Sequence, residues 1–143
     1  MSAAVPLLPQ PTHTVTTTSR VIQSPGGRTT TYTLSSGRVT QVTNGVETWT
    51  YAYSDAGDVR TTNISQGGVV RRHVTSSITE ERVLTDTTDP NGINLTTTYQ
   101  YDGNDRLYRV IQPEGNYVQY TYDARANVTE TRMVAKSGSG LAD

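Results

Sequence analysis

A duplicated tetrapeptide of the form Tyr-x-Tyr-Asp places the strongest constraint on how this chain can fold. Tyr99-Gln100-Tyr101-Asp102 recurs 21 residues later as Tyr120-Thr121-Tyr122-Asp123, and the turn sequence Pro113-Glu114-Gly115-Asn116 lies between the two copies. Self-similarity at a fixed period of this size is typical of folds built by stacking similar supersecondary units. The C-terminal third is therefore predicted to be a repeat array.

The composition favours strands over helices. Thr occupies 26 of the 143 positions, Phe is absent, and hydrophobic residues make up only 33% of the chain. Thr, Val and Tyr suit a pleated, half-buried strand surface, whereas so few apolar residues can hardly fill a thick core between two layers. We expect an all-β fold of about ten strands, arranged as consecutive antiparallel hairpins in one curved sheet.

Segments containing Gly, Asn, Asp and Pro separate the Thr/Val/Tyr-rich runs and mark the predicted corners of the sheet. Asn44-Gly45 suits a type I′ turn, whose two central residues need positive φ. Asp and Asn at a corner accept a hydrogen bond from the backbone two residues on. Corners are predicted at 24–27, 35–37, 44–45, 54–57, 66–68, 89–92, 102–105, 113–115 and 123–126.

Three regions follow from this pattern. Residues 1–11 hold three of the six prolines and are interpreted as an irregular lead-in or linker. Residues 12–134 form the predicted sheet, with the strongest repeats at 89–134, and residues 135–143 form a flexible Gly/Ser-rich tail, as expected of a segment of a longer array. Ser77 and Glu80 have capping-box spacing compatible with a helical turn, but we favour two strands that meet near 76–79.

The repeat at 98–129 resembles the YD repeat of Rhs proteins, a family that includes teneurins, wall-associated bacterial proteins and shell components of insecticidal toxin complexes. The family unit reads Tyr-x-Tyr-Asp-x-x-Gly-Arg-Leu, followed by Pro-x-Gly-Asn. The two copies continue as Asp105-Arg106-Leu107 and Ala126-Asn127-Val128, so Asp and Ala replace the glycine. Weaker copies begin at Tyr51 and Tyr32, and the 48-residue step from Tyr51 to Tyr99 implies one or two degenerate units between them.

The resemblance implies a strip of sheet that coils into a hollow shell around a toxin or other cargo domain. The partners would then be the remainder of the parent protein and its cargo, and the location would be secreted or at the cell surface, in bacteria. Residues 1–10 lack the pattern of a signal peptide, so an export signal would lie outside this chain, or the export route would need none.

Residues two apart in a strand share a sheet face, so each tyrosine pair is expected to stack beside its equivalents and to stabilise the sheet. Structural roles at repeat corners are predicted for Tyr51, Tyr53, Gly57, Tyr99, Tyr101, Asp102, Arg106, Pro113, Gly115, Tyr120, Tyr122 and Asp123. One alternative is a module that binds glycans or a cell surface through the aromatic residues Trp49, Tyr108 and Tyr117. Another is self-association into a homo-oligomer through open strand edges.

Other functional classes find little support in the sequence. The chain has no cysteine, and its two histidines, His13 and His73, lie on different predicted strands without an attendant motif, so no catalytic residue, cofactor or metal is expected. Asp86, Asp89, Asn91 and Asn94 have the composition of a calcium loop but not the EF-hand order, and turn chemistry explains them better. The net charge of −1 gives no reason to expect nucleic acid, and no apolar run is long enough for membrane insertion.

Overall fold

The structure, a computed structural model, describes residues 18–23, 28–138 and 140. These residues form one antiparallel sheet of eleven strands, in which spatial order equals chain order. The predicted all-β fold of consecutive antiparallel hairpins is therefore confirmed. The strands are β1 (Thr18–Gln23), β2 (Thr29–Ser35), β3 (Arg38–Thr43), β4 (Thr48–Ala56), β5 (Val59–Gln66), β6 (Val69–Ser77), β7 (Val83–Thr88), β8 (Leu95–Tyr101), β9 (Leu107–Ile111), β10 (Tyr117–Tyr122) and β11 (Val128–Val134).

The strand register gives the sheet two chemically different faces, because residues directly opposite in neighbouring strands point to the same side. We call one side the aromatic face. It carries Trp49 and most of the tyrosines, namely Tyr32, Tyr51, Tyr53, Tyr99, Tyr101, Tyr120 and Tyr122.

We call the other side the threonine face. Thr61, Thr75, Thr85 and Thr98 lie opposite one another in four successive strands. The hydroxyls of Thr75 and Thr85 are 2.6 Å apart and so share a hydrogen bond. Such cross-strand hydroxyl pairs stabilise neighbouring strands without any apolar layer.

A conventional hydrophobic core is absent from the described residues. Val134 is their only buried hydrophobic residue, and no side chain among them is completely buried. All the tyrosines of the aromatic face and Trp49 are half-buried, because they are covered by strand neighbours and not by a second layer. The sheet must therefore be held mainly by contacts between adjacent strands.

Two of the hairpin turns have the backbone of a type I′ turn, but not where the sequence predicts it. Ser36-Gly37 and Gly67-Gly68 have positive φ at both central positions. The prediction of this turn at Asn44-Gly45 is wrong, since Asn44 does not have positive φ. The Asn44 side-chain oxygen instead accepts the N–H groups of Val46 and Glu47, at 3.1 and 2.9 Å, and this arrangement requires a longer loop.

The predicted corner at 54–57 is also misplaced. Ser54 and Asp55 continue strand β4, and Gly57-Asp58 forms the turn between the paired residues Ala56 and Val59. Asp55 lies opposite Arg60 and binds its guanidinium at 2.9 Å, so the ladder extends to the turn.

Between β6 and β7 the chain forms an irregular loop and no helix, as favoured from the sequence. Ser77 Oγ accepts the Glu80 N–H at 3.0 Å, the bond of a capping box without a following helix. Several predicted regions lie outside the described residues. They are the lead-in at 1–11, the start of the predicted sheet at 12–17, the corner at 24–27, and residues 139 and 141–143 of the tail.

Candidate functional site

Three five-residue loops in the C-terminal part share one backbone conformation. In 102–106, 112–116 and 123–127, the first N–H donates to the fifth carbonyl, at 2.9, 2.8 and 3.0 Å respectively. The fourth N–H donates back to the first carbonyl, and the fourth residue has positive φ. The fourth residues are Asp105, Gly115 and Ala126, with φ of 61°, 93° and 63°. The glycine of the family unit thus corresponds to a left-handed position in this chain.

The aspartate of Tyr-x-Tyr-Asp anchors its loop. Asp102 accepts the N–H groups of Asn104 and Arg106, at 2.9 and 3.0 Å, and binds the Arg106 guanidinium at 2.7 Å. The Arg106 side chain and these amides stabilise the charged carboxylate and lower the pKa of Asp102.

Asp123 accepts the equivalent bonds in the second copy. The N–H groups of Arg125 and Asn127 donate to it at 2.8 and 2.9 Å, and the Asn127 amide donates at 2.9 Å. The Asn127 bonds lower the pKa of Asp123 as well. Pro113 is the second residue of the intervening loop, where Gln112 occupies the position of the aspartate.

The second tyrosine of each pair makes a contact that the sequence did not suggest. Its hydroxyl donates to a backbone carbonyl at the start of the preceding strand, and the arginine just before that carbonyl lies over the ring. We call this arrangement the Arg–Tyr clasp. Its three examples join Tyr53 to Val39 (2.7 Å) under Arg38, Tyr101 to Val83 (2.8 Å) under Arg82, and Tyr122 to Leu107 (2.6 Å) under Arg106.

The clasps lie in a row at one end of the strands, where each even-numbered strand turns into the next odd-numbered strand. Ion pairs and hydrogen bonds link their arginines to the neighbouring hairpin. Arg38 lies 3.9 Å from Asp55, and Arg82 pairs with Asp105. Arg106 Nη1 donates to the backbone carbonyl of Asp123 at 3.2 Å.

One junction remains at this end of the strands, between the β4–β5 and β6–β7 hairpins. It uses a carboxylate instead of an arginine. Asp58 accepts hydrogen bonds from the Ser77 hydroxyl at 2.7 Å and the Thr79 N–H at 2.8 Å. Its backbone carbonyl accepts the Ile78 N–H at 2.7 Å. Hydrogen bonds from Thr79 and Ser77 stabilise the charged form and lower the pKa of Asp58 to about 2. Each successive pair of hairpins from β2 to β11 is therefore joined by a polar link.

One corner in the interval between Tyr51 and Tyr99 shares local features with the repeated corners. Glu81 has φ of 52° at the position of the family glycine, and Arg82-Val83 follows it as Arg-Leu follows the glycine in the family unit. The same Arg-Val dipeptide occurs at Arg38-Val39. The dipeptide also occurs at Arg20-Val21 and Arg109-Val110, so it does not mark a corner by itself.

The first tyrosine of each pair behaves differently from the second. The hydroxyls of Tyr51, Tyr99 and Tyr120 make no hydrogen bond to any described residue, although all three rings are half-buried on the aromatic face. Arg72 lies on the same face, opposite Ile64, and pairs with Asp86 through its Nε at 2.7 Å. Burial raises the pKa of the two second tyrosines Tyr53 and Tyr101.

The candidate binding aromatics do not form one site. Trp49 lies on the aromatic face opposite Gln66. Tyr108 and Tyr117 lie on the threonine face, on either side of Arg109, whose guanidinium carbon is 5.4 and 4.5 Å from their ring centroids.

The residues that suggested a calcium loop have other partners. Asp86 is on strand β7 and pairs with Arg72, while Asp89 Oδ2 accepts the Ile93 N–H at 3.2 Å. Within 18–23, 28–138 and 140 there is no group of His, Asp or Glu side chains that could hold a metal ion. His73 Nδ1 is 2.8 Å from the Asn63 side-chain oxygen, and His13 lies outside the described residues.

Comparison with known proteins adds no identity. No protein-family model and no curated protein matches this chain. In the described part of the chain, no helix is long and apolar enough to cross a membrane. The resemblance to YD repeats therefore rests on the sequence motifs named above.

Proposed function

We propose that the chain is a wall segment of a YD-repeat β-shell, which encloses a toxin or other cargo domain of its parent protein. The observation that carries this proposal is the polar link that recurs at each hairpin junction from β2 to β11, at one end of the strands. A link repeated at each junction fixes the register of every hairpin against the next. A wall needs such evenly distributed contacts, whereas a catalytic or ligand-binding site concentrates its special residues in one place.

The chemistry of the link favours a structural role for the second tyrosines. The hydroxyls of Tyr53, Tyr101 and Tyr122 each satisfy a main-chain carbonyl, and an arginine covers one face of each ring. A ring used in this way offers little to a sugar or other ligand, because both its polar end and one of its faces are occupied. These side chains therefore support the wall function over an aromatic platform for glycans.

The aromatic face supports the idea of an enclosed polypeptide. Trp49, Tyr51, Tyr99 and Tyr120 are half-buried, and no second layer of the described residues covers them. Tyrosine combines an apolar ring with a hydroxyl that can donate or accept, so a face of tyrosines can contact both apolar and polar parts of an incompletely folded chain. In the proposed shell, this face lies toward the cargo.

Trp49 provides a direct test, since it is the only tryptophan in the chain and lies on the aromatic face. The full chain would be fused through a flexible linker to a permanently unfolded polypeptide without tryptophan. We expect the Trp49 emission to shift to the blue, its quenching by acrylamide to fall, and the passenger to resist protease better than it does when mixed with the chain in trans.

A matched reporter on the opposite face controls for nonspecific collapse. Thr50 is the next residue and points to the threonine face, so a Trp49→Phe/Thr50→Trp variant carries the tryptophan there. This variant should show no change on fusion. Equal protection of both reporters, or an aromatic face that stays fully quenchable while the passenger is degraded at its normal rate, would refute the wall proposal.

A further inference from the structure

A hollow of about 480 Å³ lies on the aromatic face beside the loop between β6 and β7. We call it the loop hollow. Val74 and Tyr53 both lie opposite Thr62, which places this part of β6 on the aromatic face. The volume falls within the range of small-molecule sites, about 300–1,000 Å³. Three neighbouring strands line it with Arg60, Val74, Ser76 and Val83.

The loop closes the hollow on its remaining side with Ile78, Glu81 and Arg82. Main-chain hydrogen bonds hold this loop in place. The Ile78 N–H donates to the Asp58 carbonyl at 2.7 Å, and the Ser77 N–H donates to the Arg82 carbonyl at 2.9 Å. The side chains that line the hollow are therefore positioned before any ligand binds, which lowers the entropy cost of binding.

One arginine in the hollow uses its guanidinium differently from the other arginines of this face. Arg60, Arg72 and Arg106 each direct Nε at an aspartate, at 2.9, 2.7 and 2.8 Å. Arg82 instead pairs with Asp105 through Nη1, its Nε is buried without a hydrogen-bond partner, and its Nη2 bonds to no described residue. The Nε–Nη2 side of a guanidinium is suited to a carboxylate, so Arg82 has room for one from a ligand.

The hollow also contains a carboxylate and an apolar surface. Glu81 is exposed, and no Lys or Arg nitrogen of the described residues lies within 4.0 Å of its carboxylate. Because Arg60 and Arg82 are already paired with aspartates, the hollow has no excess of positive charge that would favour a simple anion. It favours a ligand that carries both charges and an apolar group, which would contact Val74, Ile78 and Val83.

We propose that the loop hollow binds a free α-amino acid with an aliphatic side chain, such as leucine. Arg82 binds the α-carboxylate through Nη2, beside its unpartnered Nε, and Glu81 binds the α-ammonium group. The aliphatic side chain packs against Val74, Ile78 and Val83. This site uses only the residues around the loop, so the proposal does not rest on the wall function, which is tested separately at Trp49.

The test titrates the full chain with four small molecules and follows the amide signals of Ile78 and Val83 in ¹H–¹⁵N spectra, at about pH 6, where α-amino groups are charged. Leucinamide, which lacks the carboxylate, should bind at least about tenfold more weakly than leucine. The analogue 4-methylpentanoate, which lacks the ammonium group, should bind at least about threefold more weakly, because Glu81 is exposed. Glycine, which lacks the apolar side chain, should bind at least about tenfold more weakly.

No shift of these signals in millimolar leucine would overturn the proposal. Leucine affinity equal to that of leucinamide, 4-methylpentanoate or glycine would overturn it too, since each molecule lacks one of the three recognised groups.

Adjacent glutamates provide a matched pair of variants. Glu81→Gln should abolish the preference for leucine over 4-methylpentanoate, whereas Glu80→Gln, which removes the same charge from an exposed residue that does not line the hollow, should keep that preference within about twofold. The preference is a ratio measured within one variant, so a loss of stability does not imitate the effect. An equal loss of preference in both variants, or an unchanged preference in Glu81→Gln, would refute the site.

Discussion

Replacing Tyr122 by phenylalanine tests the clasp with the smallest possible change. The substitution removes one hydroxyl, which donates to the Leu107 carbonyl at 2.6 Å, and keeps the ring under Arg106, whose guanidinium carbon is 4.7 Å from the ring centroid. Tyr120 is the matched control, because it lies on the same strand and face but its hydroxyl bonds to no described residue.

The expected size follows from the geometry. A net hydrogen bond contributes about 0.5–1.5 kcal/mol to stability, and the bond in question is short and its tyrosine half-buried. We therefore expect Tyr122→Phe to lower the free energy of unfolding by about 1 kcal/mol, or the Tm by about 4 °C for a chain of this length. Tyr120→Phe should change the free energy by less than about 0.5 kcal/mol, as is usual for a substitution that breaks no specific contact.

Urea denaturation followed by circular dichroism would measure both variants, and the pairs Tyr99/Tyr101 and Tyr51/Tyr53 would repeat the comparison in two other hairpins. In each pair the second tyrosine should be the sensitive one. Should the first tyrosines lose as much stability as the second, the hydroxyl-to-carbonyl bond would not be what holds the junctions, and the reasoning would fail.

Three further outcomes are expected. The pKa of Asp58 is depressed to about 2. The stability that its charged form contributes is therefore present above the ordinary aspartate pKa of roughly 4 and is lost as the pH falls toward 2. Urea midpoints measured from pH 5 to 2 should fall less steeply in Asp58→Asn than in the wild type. Gly92→Ala should destabilise by about 1–3 kcal/mol, because its Cβ would lie 2.1 Å from Asp89 Oδ2, while Gly103→Ala, which meets nothing within 4 Å, should cost under about 1 kcal/mol in the same thermal melts. Ala126→Gly should stabilise by about 0.5–1 kcal/mol, because alanine holds φ at 63° there; a lower Tm would contradict this.

The features that sequence predicted well are those decided within a few residues. The alternation of two along a strand places Tyr99 with Tyr101, and Tyr120 with Tyr122, on one face. The short reach of an aspartate side chain to the backbone two residues on explains why Asp102 and Asp123 close their loops. Both depend on local geometry, which sequence patterns encode directly.

The clasp escaped sequence reasoning because its partners are 14 to 18 residues apart and meet only through strand register. That register also shifts by one residue near the corner, between Gln100 and Tyr101 in the β8–β9 pair and between Thr121 and Tyr122 in the β10–β11 pair. A bulge of this kind redirects a side chain and cannot be read from residue types alone. Strand register also explains why the corner predicted at 54–57 was misplaced. The Asp55–Arg60 pair extends the ladder, so the turn falls at Gly57-Asp58.

A sheet without a thick core needs another source of cooperativity, and the polar links between neighbouring hairpins supply one. Each strand contacts only its sequence neighbours, so stability approximates a sum of terms between adjacent hairpins, and the weakest junction determines where the sheet opens. Three junctions use an aromatic ring, a cation and a main-chain carbonyl. The fourth depends on the ionised carboxylate of Asp58 and its bonds to Ser77 and Thr79. Because Asp58 stands there in place of a clasp, acid should weaken this junction, at the end of the β5–β6 ladder where Val59 pairs with Ser77.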